Sequence, residues 1–395
     1  MDKKIRILSL DGGGSHCGIL ARALRELYPK KTGREILRKF DFVAGNSGGS
    51  IVLAALCCDY TPHDIEVFYR DPATLRRLFS PKWVWWIPLL RCVLPRYSSR
   101  GKFEGLKYVF DQNRQPNERS PSTIPLEEWK NYLKSDVNLI VPAFDYDQER
   151  ATFFRSNTGS LAKSSSAAAK ATLVEAVHAS TNAPIRFYDK PAEVGGRRYW
   201  DGALGGYNNP VLAAVVEALA NRPGEADKIR VLSIGTGTSS RPPASDKAPP
   251  PLGKVPDSTC LYAAVKKAGT VILDDPPDAA TFHAHVALRQ AMPKPKETSA
   301  GNVVRLCPLI RPIWIPTSGV WDLPPGLTEG QFEDLIEMPL DAMRESQLTL
   351  IWRMCELWIA GEIRNQPIRM GEGMHCDIGH ETFGEAKAHW ERIAA

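Results

Sequence analysis

Gly45-Asn46-Ser47-Gly48-Gly49 has the spacing G-x-S-x-G. In that spacing a serine can occupy a sharp turn between a strand and a helix, with its hydroxyl open for attack on a carbonyl. A serine hydroxyl is a weak nucleophile at neutral pH. It needs a base within hydrogen-bond reach and donors for the oxyanion that forms. The pentapeptide alone is a weak signal, but its context strengthens it. Phe40 to Ala44 reads as a strand, and "GGSIVLAALCCDY" reads as a buried helix. Gly45 and Gly49 leave room for the tight turn.

Donors for an oxyanion have a candidate in Asp11-Gly12-Gly13-Gly14, between the β-like run Ile5 to Leu10 and the helical spacing of "ILARALRELYPK". Glycines between a strand and a helix expose N–H groups at a positive helix end. No Lys-Ser/Thr pair follows the glycines, and Cys17 stands where a dinucleotide fingerprint needs its last glycine, so a nucleotide site is disfavoured. For the base, none of the eight histidines (His16, His63, His178, His283, His285, His375, His380 and His389) sits in a recognisable strand-end loop. A partly desolvated carboxylate can serve instead. Asp201 in "YWDGALGGYNNP" ends a strand-like run. An aspartate before glycine is also a common turn residue, so position alone leaves both roles open.

"LSLDGGG", "GNSGG" and "DGALGGYNNP", in this order, resemble the patatin-like phospholipase family over roughly Ile5 to Gly237. "STNAPIRF" (Ser180 to Phe187) and "VLSIGTG" (Val231 to Gly237) match flanking segments of that family. The resemblance implies an α/β fold, a three-layer α/β/α sandwich on a mainly parallel sheet. It implies a Ser-Asp dyad without histidine, with Ser47 as nucleophile, Asp201 as general base and Gly12, Gly13 and Gly14 lining the oxyanion hole. Neither calcium nor an organic cofactor is implied for the chemistry. The expected activity is a lipid acyl hydrolase of phospholipase A or lysophospholipase type, cleaving glycerophospholipid esters through an acyl-enzyme. Bacterial members can act as regulated membrane-degrading effectors in antiviral nucleotide signalling, which leaves room for a small-molecule activator and a homo-oligomer. A non-catalytic lipid-binding or signalling protein on the same fold is the rival. One departure feeds that rival: His16 stands where the family usually carries Arg or Lys, and Cys17 where it carries glycine. A histidine there would make the charge near the oxyanion pH-dependent.

The elements that must position these residues come from an ordinary globular chain of 395 residues, 43% hydrophobic and 24% charged, with a mild net charge of +5. The eight cysteines form no C-x-x-C pair, which disfavours zinc and reads as free thiols in a reducing compartment. No signal peptide is evident, and the longest apolar run, Trp83 to Leu90, is too short to span a bilayer. The expectation is a cytoplasmic protein in peripheral association with membrane. No acidic residue lies between Asp71 and Glu104, where seven basic residues surround "WVWWIPLL". Trp83, Trp85 and Trp86 are therefore candidate membrane contacts, and a nucleic acid polymer is not expected as partner. Further strands are expected over Val137 to Phe144, Ala151 to Phe154, Ile229 to Ile234 and Val303 to Leu309. Helices are expected over Leu173 to Ala179, Pro210 to Asn221, Tyr262 to Leu273 and Leu340 to Ile363. The division expected is a catalytic core over 1–240, a proline-rich linker over 241–258 and an α-rich C-terminal extension over 259–395 packed on the core.

Overall fold

The structure is a computed structural model of the chain. It describes residues 3–82, 94–114, 116, 118–157, 170–184, 187–237, 279–289, 301–310, 313–315, 317–318, 320–323, 326–365 and 379–395. Trp83, Trp85, Trp86, the proline-rich linker and the helix expected over 262–273 lie outside the described residues.

Eight strands form one sheet: β1 (Ile5–Leu10), β2 (Phe42–Gly45), β3 (Asn138–Asp145), β4 (Arg150–Arg155), β5 (Ala192–Val194), β6 (Arg197–Asp201), β7 (Ile229–Ile234) and β8 (Val303–Leu306). Their order is β5-β6-β3-β2-β1-β7-β8, with β4 paired to β3. The run from β3 to β8 is parallel, while β4 and β6 lie antiparallel to β3. Side chains alternate across a strand, and here the alternation separates two apolar layers. Ile5, Ile7, Phe42, Ala44, Ile140, Ile229 and Val231 face the helix Val211–Asn221 and the helical residues 279–289. Leu8, Leu10, Val43, Leu139, Val141, Leu232 and Ile234 face the opposite layer. That layer holds α1 (Gly18–Leu27), α2 (Gly33–Leu37), α3 (Gly48–Cys57) and the helix Leu173–Ser180. The result is a three-layer α/β/α sandwich.

The chain beyond the proline-rich stretch is part of this architecture. β8 extends the sheet beside β7 and stops before Cys307-Pro308, where proline has no N–H to offer the ladder. The helix expected over Leu340 to Ile363 spans Glu345–Ile359. It starts late because Leu340 to Met343 serve a turn: Ala342 donates to Pro339, and the Leu340 carbonyl accepts from Ser15 in the glycine loop. Ile351, Met354, Cys355 and Trp358 are buried, as their common face requires, and the helix packs against α1 and the C-terminal helix Phe383–Ala394. Among the described residues, no helix is long and apolar enough to cross a membrane.

Candidate active site

The pairing of β3 decides which two strand ends meet. β2 pairs with Asn138–Ile140 and β6 with Ala143–Asp145, while β4 occupies the opposite edge across Ile140–Asp145. β2 and β6 therefore share one edge of β3 and run toward each other. Ser47, two residues past the end of β2, and Asp201, the last residue of β6, meet where they converge near Pro142. Pro142 has no N–H, and the gap between two strand ends requires none.

Ser47 is the N-cap of α3, with φ 48° and ψ −127°. A non-glycine residue in such a region costs on the order of 1–3 kcal/mol and persists only where its surroundings impose it. The surroundings are close. A Cβ on Gly49 would lie 2.4 Å from the Leu10 carbonyl, so α3 can rise from the strand at this angle only with glycine there. A Cβ on Gly12 would lie 3.0 Å from Ser47 Cβ and 2.4 Å from Asn208 Oδ1, so only glycine fits beside the hydroxyl.

Asp201 is buried at 6% exposure, and the Ser47 hydroxyl lies near enough to its carboxylate to favour the ionised form. Its Oδ1 also accepts from Ala203 N at 2.9 Å and from Asn46 Nδ2 at 3.2 Å. Burial raises its pKa above the usual carboxylate range, partly offset by the nearby Ser47 hydroxyl, by the Ala203 and Asn46 hydrogen bonds and by the charge of Lys102. No histidine is among these partners. A carboxylate held this way is more basic than one in water.

Two residues of the quoted motifs carry structural work that their positions did not reveal. Asn46, fully buried, links Asp201 to Ser180, whose Oγ donates to Asn46 Oδ1 at 3.2 Å and accepts the Ser47 N–H at 2.9 Å. Ser180 ends a helix begun by Thr172, which accepts from Glu175 N at 3.2 Å and donates its own N–H to Glu175 at 2.8 Å. That reciprocal cap fixes where the helix starts and hence where its last residue falls.

The glycine loop divides its roles. Gly12 donates its N–H to the Asn208 carbonyl at 2.9 Å, so it lines the site through its missing side chain. The N–H groups of Gly13 and Gly14 donate to no acceptor among the described residues, nor does that of Gly48, the first residue of α3. Asp11 holds the loop to the sheet: Arg305 on β8 grips it through two hydrogen bonds, 3.0 and 2.6 Å, and also reaches Ser233 at 2.8 Å. Thr236 secures the Gly12 carbonyl at 2.8 Å. His16 is buried, and burial lowers its pKa to about 4 despite a hydrogen bond to the Gly13 backbone. The near-neutral titration expected of it is thus displaced, and the ring is uncharged at neutral pH.

No curated protein matches the chain. Among solved structures, VipD from Legionella pneumophila is similar at 12% identity with a TM-score of 0.38, covering 99% of this chain and 75% of VipD. The type III effector protein ExoU is similar at 16% identity with a TM-score of 0.26, covering 47% of this chain and 40% of ExoU. The family model Patatin, described as patatin-like phospholipase, matches residues 8–215, more than half of the chain and the span that contains the end of β1, β2 to β6, Ser47 and Asp201. The chain belongs to the patatin-like phospholipase family.

Proposed function

We propose that the protein hydrolyses acyl esters of glycerophospholipids with Ser47 as nucleophile and Asp201 as general base. The observation that carries this reading is the strained Ser47 at the head of α3, its hydroxyl beside a buried, basicity-raised carboxylate. Asp201 takes the hydroxyl proton as Oγ attacks the ester carbonyl. The oxyanion is met by N–H groups of Gly13, Gly14 and Gly48, at the positive end of α3. Collapse of the tetrahedral adduct expels the lyso product, which leaves with the proton, and an acyl-Ser47 ester remains. Water, deprotonated by Asp201, then releases the fatty acid. His16 supplies no charge at neutral pH, so the donors are backbone groups, and removal of the family's usual cation does not remove them. The basic, acid-free stretch around Trp83, Trp85 and Trp86 is the segment this reading assigns to membrane contact, on its composition.

Vesicles of a labelled phosphatidylcholine–phosphatidylglycerol mixture test the proposal. Wild-type protein releases labelled fatty acid and Ser47→Ala does not. Lipid binding without release by wild type would instead favour the non-catalytic reading.

A further inference from the structure

Lys102 lies within the helix Ser99–Gln112 and is 1% exposed, which is rare for lysine unless every donor has a partner. Its Nζ donates to the His178 carbonyl and to Thr181 Oγ1, each at 2.9 Å, and lies 4.3 Å from the centre of the Tyr188 ring. Two hydrogen bonds and an aromatic face satisfy the three N–H groups of an ammonium. The acceptors belong to the C-terminal end of the helix Leu173–Ser180, the negative end of its dipole.

That end of the helix is also where the proposed nucleophile and base are both held. Ser180 holds the Ser47 N–H, and the Asn182 carbonyl accepts from Asp201 N at 3.1 Å. Thr181, between them, is the residue Lys102 grips. Ser99, one helical turn before Lys102, donates its hydroxyl to Asn182 Oδ1 at 3.0 Å. One face of the Ser99–Gln112 helix therefore clamps a single turn that touches both halves of the dyad. Burial pushes the Lys102 pKa well down and the Asp201 pKa up, and the charge of each works against that displacement in the other.

We propose that Lys102 is a positioning residue for the Ser47–Asp201 reaction: its buried ammonium fixes the Ser180–Asn182 turn and supplies the positive charge that keeps Asp201 ionised out of contact with water. The proposal rests on the dyad reading above. A structural lysine that only caps a helix would secure the turn equally well with a neutral donor, whereas the charge role makes activity depend on pH. Other titratable groups facing the pair do not compete for that dependence. Cys17 and Tyr188, which face Asp201, are pushed up by burial, and His178, beside Lys102, is pushed down by burial and by Lys102, Lys190 and Lys107. Tyr188 in turn faces Tyr97 and Asp341. The acid limb of the rate profile thus reports Asp201 with Lys102 beside it.

The test is the rate at which a fluorophosphonate labels Ser47, measured against pH for wild type, Lys102→Gln and Lys102→Arg, with Ser47→Ala as blank. Gln keeps hydrogen-bond donors for His178 and Thr181 but has no charge. The expected result is an acid limb about one pH unit higher in Lys102→Gln, with labelling near wild type well above the limb and the wild-type limb retained in Lys102→Arg. A limb unmoved in Lys102→Gln, with wild type labelled at Ser47, would overturn the role of Lys102 and leave the dyad standing. Absence of Ser47-dependent labelling in wild type would overturn the dyad and this proposal together. If near-UV circular dichroism shows that the variants do not fold, a carboxyl-carbon NMR titration of Asp201 in wild type decides. Asp201 ionised at about pH 6 supports the proposal, and Asp201 protonated there overturns it.

Discussion

At the residue scale the site is a short hydrogen-bonded chain from Asp201 through Asn46 and Ser180 to the Ser47 N–H, with the Ser47 hydroxyl beside the carboxylate. Asn46→Ala removes the amide that orients the Asp201 carboxylate. Loss of a hydrogen bond to a charged group costs about 1.5–3 kcal/mol, so kcat should fall roughly tenfold to a hundredfold with KM little changed. Steady-state kinetics on a soluble ester reads this directly, and a KM-only effect would mean Asn46 contacts substrate instead. Stability should move the other way at Asp201. Burial raises its folded pKa above the unfolded one, so folding favours the protonated acid. Stability from this group is present below the unfolded pKa and is lost as pH rises through the folded one. Above that window the wild type carries a buried charge that Asp201→Asn does not. The variant should therefore melt at a higher temperature at pH 8 while losing activity, and the difference should shrink as pH is lowered. A lower melting temperature at pH 8 would mean the carboxylate is worth more to the fold than its burial costs.

At the element scale the junctions β1–glycine loop, β2–α3 and β6–turn carry the site, and all three were legible as strand-like runs closed by glycines. β1 and β7 match their expected bounds, and β2, β3 and β4 fall within two residues of theirs. Glycine and alternating apolar residues are local signals, and these elements are built from local signals. Lys102 illustrates the opposite case. In sequence it is one more cation in an acid-free stretch, and only the packing of the Ser99–Gln112 helix on the Ser180–Asn182 turn buries it. Asn46 and Ser180 were visible inside motifs, but an amide or hydroxyl in a motif does not disclose its partner more than a hundred residues away. Gly49→Ala probes the β2–α3 junction. Its Cβ would stand 2.4 Å from the Leu10 carbonyl, a backbone atom that cannot swing aside. The expected loss is about 1–3 kcal/mol of stability, with a larger loss of activity because the turn that aims Ser47 must shift. Urea denaturation and ester hydrolysis on the same preparation separate the two, and a variant of wild-type activity would show the turn is tolerant.

At the scale of the whole molecule, the site closes only when distant parts of the chain are in place. The glycine loop is held by Arg305, on a strand beyond the proline-rich stretch, and by the Leu340 carbonyl. A pairing between Asp11 and Arg305, 294 positions apart, left no trace in local pattern. Arg305→Leu leaves Asp11 buried without its partner, and breaking a buried pair from one side costs about 3–5 kcal/mol. Its melting temperature should fall and its activity with it, and an unchanged melting temperature would mean the loop is held by Thr236 and the sheet alone. Above all parts stands the assignment of Ser47 and Asp201 to one catalytic unit. Initial rates of fatty-acid release from phospholipid vesicles, measured for wild type, Ser47→Ala, Asp201→Asn and the double variant, test it most directly. Each single change should lower the rate by about a thousandfold or more, and the double variant should be no slower than the worse single one, because nucleophile and base act as a unit. Two single effects that multiply in the double variant, or an Asp201→Asn protein that still turns over, would contradict the account.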